Sequence, residues 1–361
     1  MSLWKLRLTM LATLAMIIGT STIFFAVLMQ YLGYLDIISL AALVIVFNFL
    51  QWLLAPYLIN AIYRVKEAEE AEFPKLHAMI SQLSSKSRIK KPKIGIAGIS
   101  IPNAFAYGSP ISGTRIAVTE GLLNTLEEEE VEAVLGHEMG HLKHKDVQIM
   151  MFASFLPSLI YFIGRSALYS AYFGGYYRRD GREGEGGLAL LIGALSIAVY
   201  FVLLLFTLGL SRLREYYADQ HSASVLDDGR RKLSEGLAKI VSKTNEMRTH
   251  HHQDAFMHSG FKALFISDPD NVEKDAVAVA RPAGNPSDQA LVERLLRRRV
   301  TATERIVELF STHPNITKRL GALGALGDQP MIARDSVEQW GTYHTEPIGG
   351  NEKDEQGSGT V

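Results

Sequence analysis

The feature that most constrains the fold is a pair of long, uncharged apolar segments near the N-terminus. Residues 9–30 and 37–59 are each long enough for a helix that crosses a bilayer, which needs about 20 residues. Gly33 and Asp36 lie in the short turn between them. A cleaved signal peptide is the alternative for the first segment, but the run is too long and lacks a small-residue cleavage site. Residues 1–64 are therefore predicted to form a transmembrane hairpin.

A second pair of apolar segments lies in the middle of the chain. Residues 188–210 carry no charge and form a strong candidate span. Residues 147–164 form a weaker one, because they contain Pro157 and are followed by Arg165. The polar, glycine-rich loop 172–187 separates the two segments. The sequence therefore predicts a second hairpin and four transmembrane helices in all.

Basic residues at the ends of the first hairpin predict its orientation. Lys5 and Arg7 precede the first span, and Arg64 and Lys66 follow the second. The positive-inside rule places both flanks in the cytoplasm. The arginines of the loop 172–187 argue mildly against an external position for that loop. We expect a multi-pass protein of the cell membrane, whose partner is the lipid bilayer and whose polar domain is cytoplasmic.

Composition excludes several other classes of protein. The 361 residues contain no cysteine, so disulfides, thiolate metal ligands and a cysteine nucleophile are impossible. The formal net charge of −1 gives no sign of nucleic-acid binding.

The chemistry of the chain is concentrated in the motif Gly136-His137-Glu138-Met139-Gly140-His141. Two histidines four residues apart lie on the same face of a helix, so both imidazoles can reach one zinc ion. Glu138 leans over the same face, where it can take a proton from a metal-bound water. The alternative is a surface helix with two unrelated histidines. His144, three residues further on, is interpreted as a surface histidine.

A third ligand is predicted from a helix further along the chain. Glu215 and Asp219 are again four residues apart. Glu215 can complete a site of two histidines and one glutamate, and Asp219 can accept the spare ring N–H of a ligating histidine. The alternative is a solvated helix on which Arg212 and Arg214 pair with these acids.

Taken together, these motifs resemble the HtpX-type membrane metalloproteases, which are relatives of the CAAX prenyl protease Ste24. The resemblance covers roughly residues 1–325, including the placement of the apolar segments. The residues that carry it are His137 to His141 with Asp146, Asn103 to Ala106, Ser211 to Asp219, and Thr312-His313-Pro314 with Arg319-Leu320.

The resemblance implies one Zn²⁺ per subunit, in a zinc protease domain of the gluzincin type. It implies a role near the cleft for His313, as a donor to the developing oxyanion or as a resting-state zinc ligand, and a substrate contact for Arg319. Asp146 would hydrogen-bond to a metal ligand or lie at the end of the motif helix. The segment Asn103, Ala104, Phe105 would lie beside the cleft and bind substrate; a plain structural strand is the equal alternative.

Short alternating segments predict a small sheet before the histidine motif. The candidate strands are Lys93–Ala97, Asn103–Gly108 and Arg115–Thr119, separated by glycine and proline, and we expect them to pair antiparallel. An exposed edge of such a sheet can bind an extended peptide as a further strand. The motif helix itself is predicted to begin at an N-cap Thr125, with Glu128 completing a capping box.

The predicted fold class is a mainly α membrane protein with four transmembrane helices and an α+β zinc protease domain that contains a small β-sheet. Because His137, His141 and Glu215 must meet at one ion, the second hairpin has to return the chain to the same side of the membrane. The predicted domains are a hairpin (1–64), the first part of the catalytic domain (65–146), the second hairpin (147–210), the second part of the catalytic domain (211–340) and a disordered tail (341–361).

The predicted function is zinc-dependent endopeptidase activity at the cytoplasmic membrane surface. The resemblance implies quality control, with misfolded or damaged membrane proteins as substrates. Two alternatives are a Ste24-like processing enzyme for a defined substrate and a non-proteolytic membrane metal-binding protein. A transporter should carry ionisable residues inside its spans, which these spans lack.

Overall fold

The computed structural model describes residues 37–173, 185–250 and 287–326. All of them belong to one compact unit, residues 1–326. The helices are α1 (Ile37–Ile62), α2 (Pro74–Ser87), α3 (Glu120–Thr125), α4 (Glu128–Lys143), α5 (Asp146–Phe173), α6 (Glu185–Val225), α7 (Gly229–His250), α8 (Asp288–Arg297), α9 (Ala302–Leu309) and α10 (Ile316–Ala325); the strands are β1 (Val65–Glu67), β2 (Lys93–Ala97), β3 (Ala104–Ser109) and β4 (Gly113–Thr119).

Helix α1 takes in the whole of the predicted second span and continues to Ile62. From Trp52 onward, where the side chains are described without a gap, α1 forms an apolar stretch to Ile62 that is shorter than a membrane crossing. The predicted span 9–30, most of the loop 172–187 and the predicted disordered tail 341–361 lie outside the described residues.

Helices α5 and α6 are long and apolar enough to cross a membrane, by length and composition. They run antiparallel, since the Thr207 hydroxyl lies 3.4 Å from the carbonyl of Ala153 while Gly164 lies against Ser196. Their interface buries Ile160 and other aliphatic side chains. The opposite side of α6 leaves large apolar side chains, such as Leu191, exposed.

Helix α6 is a single element of 41 residues. At 1.5 Å per residue it is about 60 Å long, roughly twice the thickness of a bilayer's hydrocarbon core. The predicted boundary between residues 210 and 211 therefore falls inside a continuous helix. Gly209 lies next to this boundary but does not end the helix. Glu215 and Asp219 are thus rigidly connected to the apolar segment 188–210.

The four strands form one mixed sheet in the order β1-β2-β4-β3. Strand β3 pairs antiparallel with β4, as predicted, and β1 pairs antiparallel with β2. Strands β2 and β4 are parallel, so the prediction of a wholly antiparallel sheet was wrong. Alternation identifies strands but not their partners, and here the β3–β4 hairpin places β4 beside β2. Strand β1 has three residues, too few to show a periodicity, and was not predicted.

Helix α4 is central to the domain, with the sheet on one side and α6 and α7 on the other. Val134, Leu135 and Met139 are fully buried in its core. The helix begins at Glu128 with Glu127 as N-cap and Glu130 completing the capping box. The predicted N-cap Thr125 instead ends α3, because the preceding Thr119 caps that extra short helix.

Two glycines of the histidine motif let α6 approach α4 closely. A Cβ atom added to Gly140 would lie 2.9 Å from Ala218 Cα, and one added to Gly136 would lie 3.0 Å from the Ser222 hydroxyl. The Ser222 hydroxyl donates to the carbonyl of Ala133 at 2.6 Å. This backbone-to-backbone contact brings Glu215 over the histidine face of α4.

Candidate metal centre

His137 and His141 turn one ring nitrogen each toward the same point. Their Nε2 atoms lie 3.1 Å apart. Ligands bound at about 2.0–2.2 Å in a tetrahedral zinc site are about 3.3–3.5 Å from one another. The separation of the two nitrogens is therefore close to that of two ligands on one ion.

The other nitrogen of each ring faces a buried carboxylate. Asp219 Oδ1 lies 2.9 Å from Nδ1 of His137, and Asp146 Oδ2 lies 2.6 Å from Nδ1 of His141. A carboxylate at Nδ1 accepts a hydrogen bond from the N–H of that atom, which keeps the proton on Nδ1 and leaves the lone pair of Nε2 directed at the shared point. Arg214 Nε in turn lies 3.2 Å from Asp146 Oδ2.

Glu215 supplies a carboxylate to the same point from α6. Its Oε2 lies 3.6 Å from Nε2 of His137 and its Oε1 lies 3.5 Å from Nε2 of His141. Two imidazoles and one carboxylate are a donor set typical of catalytic zinc sites. The three residues thus fit a divalent metal such as zinc, in both donor type and spacing.

Glu138 lies beside the histidines but points toward the sheet. Its Oε2 accepts the backbone N–H of Ala106 in β3 at 2.8 Å. Burial raises the pKa of Glu138 above its ordinary value, and the charges of His141 and His137 oppose this only in part. Glu138 is therefore a carboxylate with increased affinity for a proton.

Arg319 is almost fully buried, with 1% of its surface exposed. Its Nε and Nη2 donate to Oδ2 and Oδ1 of Asp219 at 2.9 and 2.6 Å, and Nη1 lies 3.3 Å from Oε2 of Glu215. The resemblance implies a substrate contact for Arg319, but the structure directs its guanidinium at these two acids instead. The bidentate contact with Asp219 and the nearby Nη1 together hold both carboxylates on α6 in place.

His313 reaches the cluster from the loop between α9 and α10. Its Nδ1 lies 3.1 Å from Oε2 of Glu215. The hydroxyl of Ser311 fixes the loop by donating to the carbonyl of His313 and accepting its N–H. Burial alone would raise the pKa of Glu215, but His313, His137 and Arg319 outweigh it and hold that pKa well below the ordinary value.

Two further histidines near the motif do not join the cluster. The ring of His144 packs edge-on against Tyr217, with 4.2 Å between centroids, and is half-buried rather than at the surface. Nε2 of His221 lies 2.9 Å from the hydroxyl of Ser87. A carboxylate oxygen of Glu138 also lies within 4.8 Å of a ring nitrogen of each of the two motif histidines, so two acids lie beside the histidine pair. Glu215 remains the predicted third ligand.

Strand β3 is at the end of the described sheet and runs beside Glu138. Residues Asn103, Ala104 and Phe105 are buried, and Asn103 is tied to Thr119 through its backbone N–H and carbonyl. In an antiparallel pair, the N–H and C=O of one residue point to the same side of the strand. Because the N–H of Ala106 points at Glu138, the unpaired edge of β3 faces the cluster.

Two contacts of the cluster were not predicted from sequence. The N–H of Ala106 has no side-chain signature, since any residue except proline could donate it. The pairing of Arg214 with Asp146, rather than with Glu215 or Asp219, depends on how α6 packs on α4 and α5. Arg319 was singled out only because it lies within a motif of the resembled family, and its two acidic partners were not predicted.

The comparisons with known proteins agree with this geometry. Residues 70–326 match the family described as Peptidase family M48. The chain is 36% identical over 338 residues to the Protease HtpX homolog of Thermoplasma acidophilum, covering 90% of this chain and 99% of that protein. It is 39% identical over 301 residues to the Protease HtpX homolog of Aeropyrum pernix, covering 82% and 88%.

A solved structure shares the fold at low identity. The crystal structure of Ste24p from S. mikatae aligns with a TM-score of 0.50 and 17% identity, over 89% of this chain and 66% of the other. The family match takes in α4, α6 and the loop with His313, which supply the cluster. We conclude that the chain is a metalloprotease and belongs to peptidase family M48.

Proposed function

We propose that the chain is a membrane-integrated zinc endopeptidase of the gluzincin type, in which His137, His141 and Glu215 hold one zinc ion. The observation that carries this proposal is the convergence of two Nε2 atoms 3.1 Å apart, with Glu215 oxygens 3.5 and 3.6 Å away. Asp219 and Asp146 fix the tautomers that direct both lone pairs inward. Arg319 is proposed as a positioning residue for Asp219 and Glu215.

A bound zinc ion would act as a Lewis acid that polarises the scissile carbonyl. Glu138 would take a proton from the attacking water and deliver it to the leaving amine. Its raised pKa suits it to hold that proton between the two steps. The N–H of Ala106 occupies one lone pair of Oε2, and we therefore propose Oε1 as the oxygen that accepts the proton.

His313 is proposed as the donor to the oxyanion that develops on the carbonyl. Its Nδ1 is directed at Glu215, and its Nε2 hydrogen-bonds to no residue of the described ranges. A ring held by one nitrogen presents the other to a reacting group in a fixed direction.

The substrate is proposed to bind as an extended strand along the free edge of β3. Backbone pairing with Ala104 and Gly108 would flank the position where Ala106 holds Glu138, so the scissile bond would lie next to the general base. This arrangement recognises backbone and is tolerant of sequence. Residues Asn103 to Phe105 would support the edge by packing rather than by contacting the substrate's side chains.

Four transmembrane helices are proposed, from residues 9–30, 37–59, 147–164 and 188–210, with the catalytic domain at the cytoplasmic face. The support is the length and apolar surface of α5 and α6 and the basic flanks of the first hairpin. Because α6 continues from its apolar segment to Glu215, the metal would lie close to the membrane surface. We propose misfolded or damaged membrane proteins as substrates, from the resemblance to HtpX-type proteases.

The purified full-length protein should hydrolyse casein, and a zinc chelator should abolish the activity. Glu138→Gln should lower the rate by about 100-fold or more, the usual range for loss of a general base, and should keep its zinc. The amide preserves shape but accepts no proton. Glu132→Gln on the same helix, whose side chain faces Lys232 at 3.9 Å, is the matched control and should change neither quantity.

Zinc content distinguishes the outcomes. Loss of zinc together with activity would mean that Glu138 is a ligand or a structural residue. Hydrolysis by Glu138→Gln at the wild-type rate would refute the proposed general base.

A further inference from the structure

Helix α9 is amphipathic with its faces reversed relative to those of a soluble domain. Its acidic residues Glu304 and Glu308 are each only 8% exposed. Ile306 is 60% exposed, Leu309 49% and Phe310, directly after the helix, 59%. A surface helix in water normally buries its apolar stripe and exposes its charges.

The inward glutamates are fully partnered, so the reversal is a built feature. Glu304 accepts the backbone N–H of Thr301 at 2.8 Å and pairs with Arg298. Glu308 accepts the N–H of Asn315 at 3.1 Å and pairs with Lys318. Turning the apolar face inward would break these contacts and leave two buried carboxylates without partners.

A single arginine fixes where α9 lies along α6. Arg212 Nη1 donates to the carbonyls of Glu308, Leu309 and Ser311 at 2.8, 3.1 and 2.7 Å. Arg212 follows Leu210, the last residue of the apolar segment, by about 3 Å along the helix axis. The C-terminal end of α9 is therefore held close to the point along α6 where the apolar segment ends and polar residues begin.

We propose that the exposed face of α9, formed by Ile306, Leu309 and Phe310, is inserted into the boundary between headgroups and acyl chains of the bilayer that α6 crosses. This inference rests on the membrane placement in the proposed function, but not on peptide hydrolysis. It assigns a lipid-binding surface to a segment of the polar domain that lies far from the predicted spans in sequence.

Position and charge favour lipid as the occupant of this face. The face lies at the level along α6 where its apolar segment ends, because Arg212 joins the two helices there. Exposed Arg305 on α9 and Arg299 just before it provide cations at the rim. Interfacial helices typically combine a Leu- or Phe-bearing face with flanking Lys or Arg, which meet anionic headgroups.

The same segment also carries the site's loop. Ser311, whose carbonyl accepts from Arg212, also holds the backbone of His313 through its hydroxyl. Insertion of α9 would therefore set the height of His313 above the bilayer.

Single-cysteine probes test the proposal cleanly, because the chain has no cysteine of its own. Phe310→Cys and Ile306→Cys would each be labelled with an environment-sensitive fluorophore in the full-length protein, reconstituted into vesicles containing anionic phospholipid. Gln82→Cys, at an exposed position of α2, is the matched control. Because all three side chains are at the surface, none of the substitutions removes core packing.

The readout is quenching by two agents: a spin label on the lipid acyl chain near the headgroup, and acrylamide in the water. We expect the probes at 306 and 310 to lose emission with labelled lipid and to resist acrylamide, and the probe at 82 to behave in the opposite way. Equal acrylamide quenching at all three positions would overturn the proposal.

Other occupants give different results that also overturn it. Protection of position 310 from both quenchers would mean that another part of this chain covers α9. Protection that disappears when the protein is diluted with lipid would mean that a second copy covers it. The probes report no catalysis, so failure here leaves the proposed peptidase intact, and an inactive enzyme would leave the quenching unchanged.

Discussion

Gly140→Ala tests whether close packing of α6 on α4 creates the metal centre. The added Cβ would lie 2.9 Å from Ala218 Cα, a backbone atom that cannot rotate away. Ordinary contact begins at 3.4 Å, so α6 would have to retreat by about 0.5 Å at this point. Glu215 lies one helical turn before Ala218 and would move with it.

The size of the effect follows from this geometry. A metal site tolerates displacements of about 0.2 Å in its ligand distances, so a retreat of about 0.5 Å should weaken the bond to Glu215. We expect zinc affinity to fall by about 10-fold or more, which is ~1.4 kcal/mol. Overpacking of the helix interface should also destabilise the protein by about 1–3 kcal/mol.

Competition with a chromophoric chelator measures the zinc affinity, and thermal unfolding of the metal-free protein measures the packing cost. Gly324→Ala on α10 is the matched control, because nothing lies within 4 Å of its added Cβ. As an exposed helical glycine, it should be neutral or stabilising by up to about 1 kcal/mol. Equal zinc affinities for Gly140→Ala and Gly324→Ala would refute the reasoning.

Two further predictions concern the third ligand and the topology. Glu215→Ala should lose zinc, since two protein ligands remain, whereas Gln220→Ala on the same helix should keep it; stoichiometric zinc in the first variant would place the third ligand elsewhere. In intact cells, a membrane-impermeant thiol reagent should label Gly181→Cys but not Ser242→Cys, because the proposed topology puts the loop 172–187 on the opposite side of the membrane from the catalytic domain. Labelling at 242 in unbroken cells would invert the topology.

The two helices that carry the proposed metal ligands are each joined to an apolar segment. Helix α4 ends at Lys143, and α5 begins three residues later with Asp146, which holds His141. Helix α6 carries its apolar segment and Glu215 without a break. Tilting of α5 against α6 would therefore change the distance between the histidines and the glutamate, which couples the site to the two long apolar helices.

The sequence determined the parts of the site that lie within one helix. His137 and His141 share a face because the helix has 3.6 residues per turn, whatever surrounds it. Glu215 and Asp219 are related in the same way, and strand β2 was predicted with the bounds that the structure has. The long apolar segments could also be predicted from sequence, because their length and composition alone identify them as candidate membrane spans.

Tertiary structure alone decided how these pieces meet. Which strand lies beside β4, how closely Ala218 approaches Gly140, and which acids Arg319 holds all depend on contacts between residues far apart in sequence. Periodicity shows that α9 has an apolar and an acidic face, but not which one turns inward. That choice follows from the partners of Glu304 and Glu308, because a buried carboxylate is stable only where the packed fold brings donors to it.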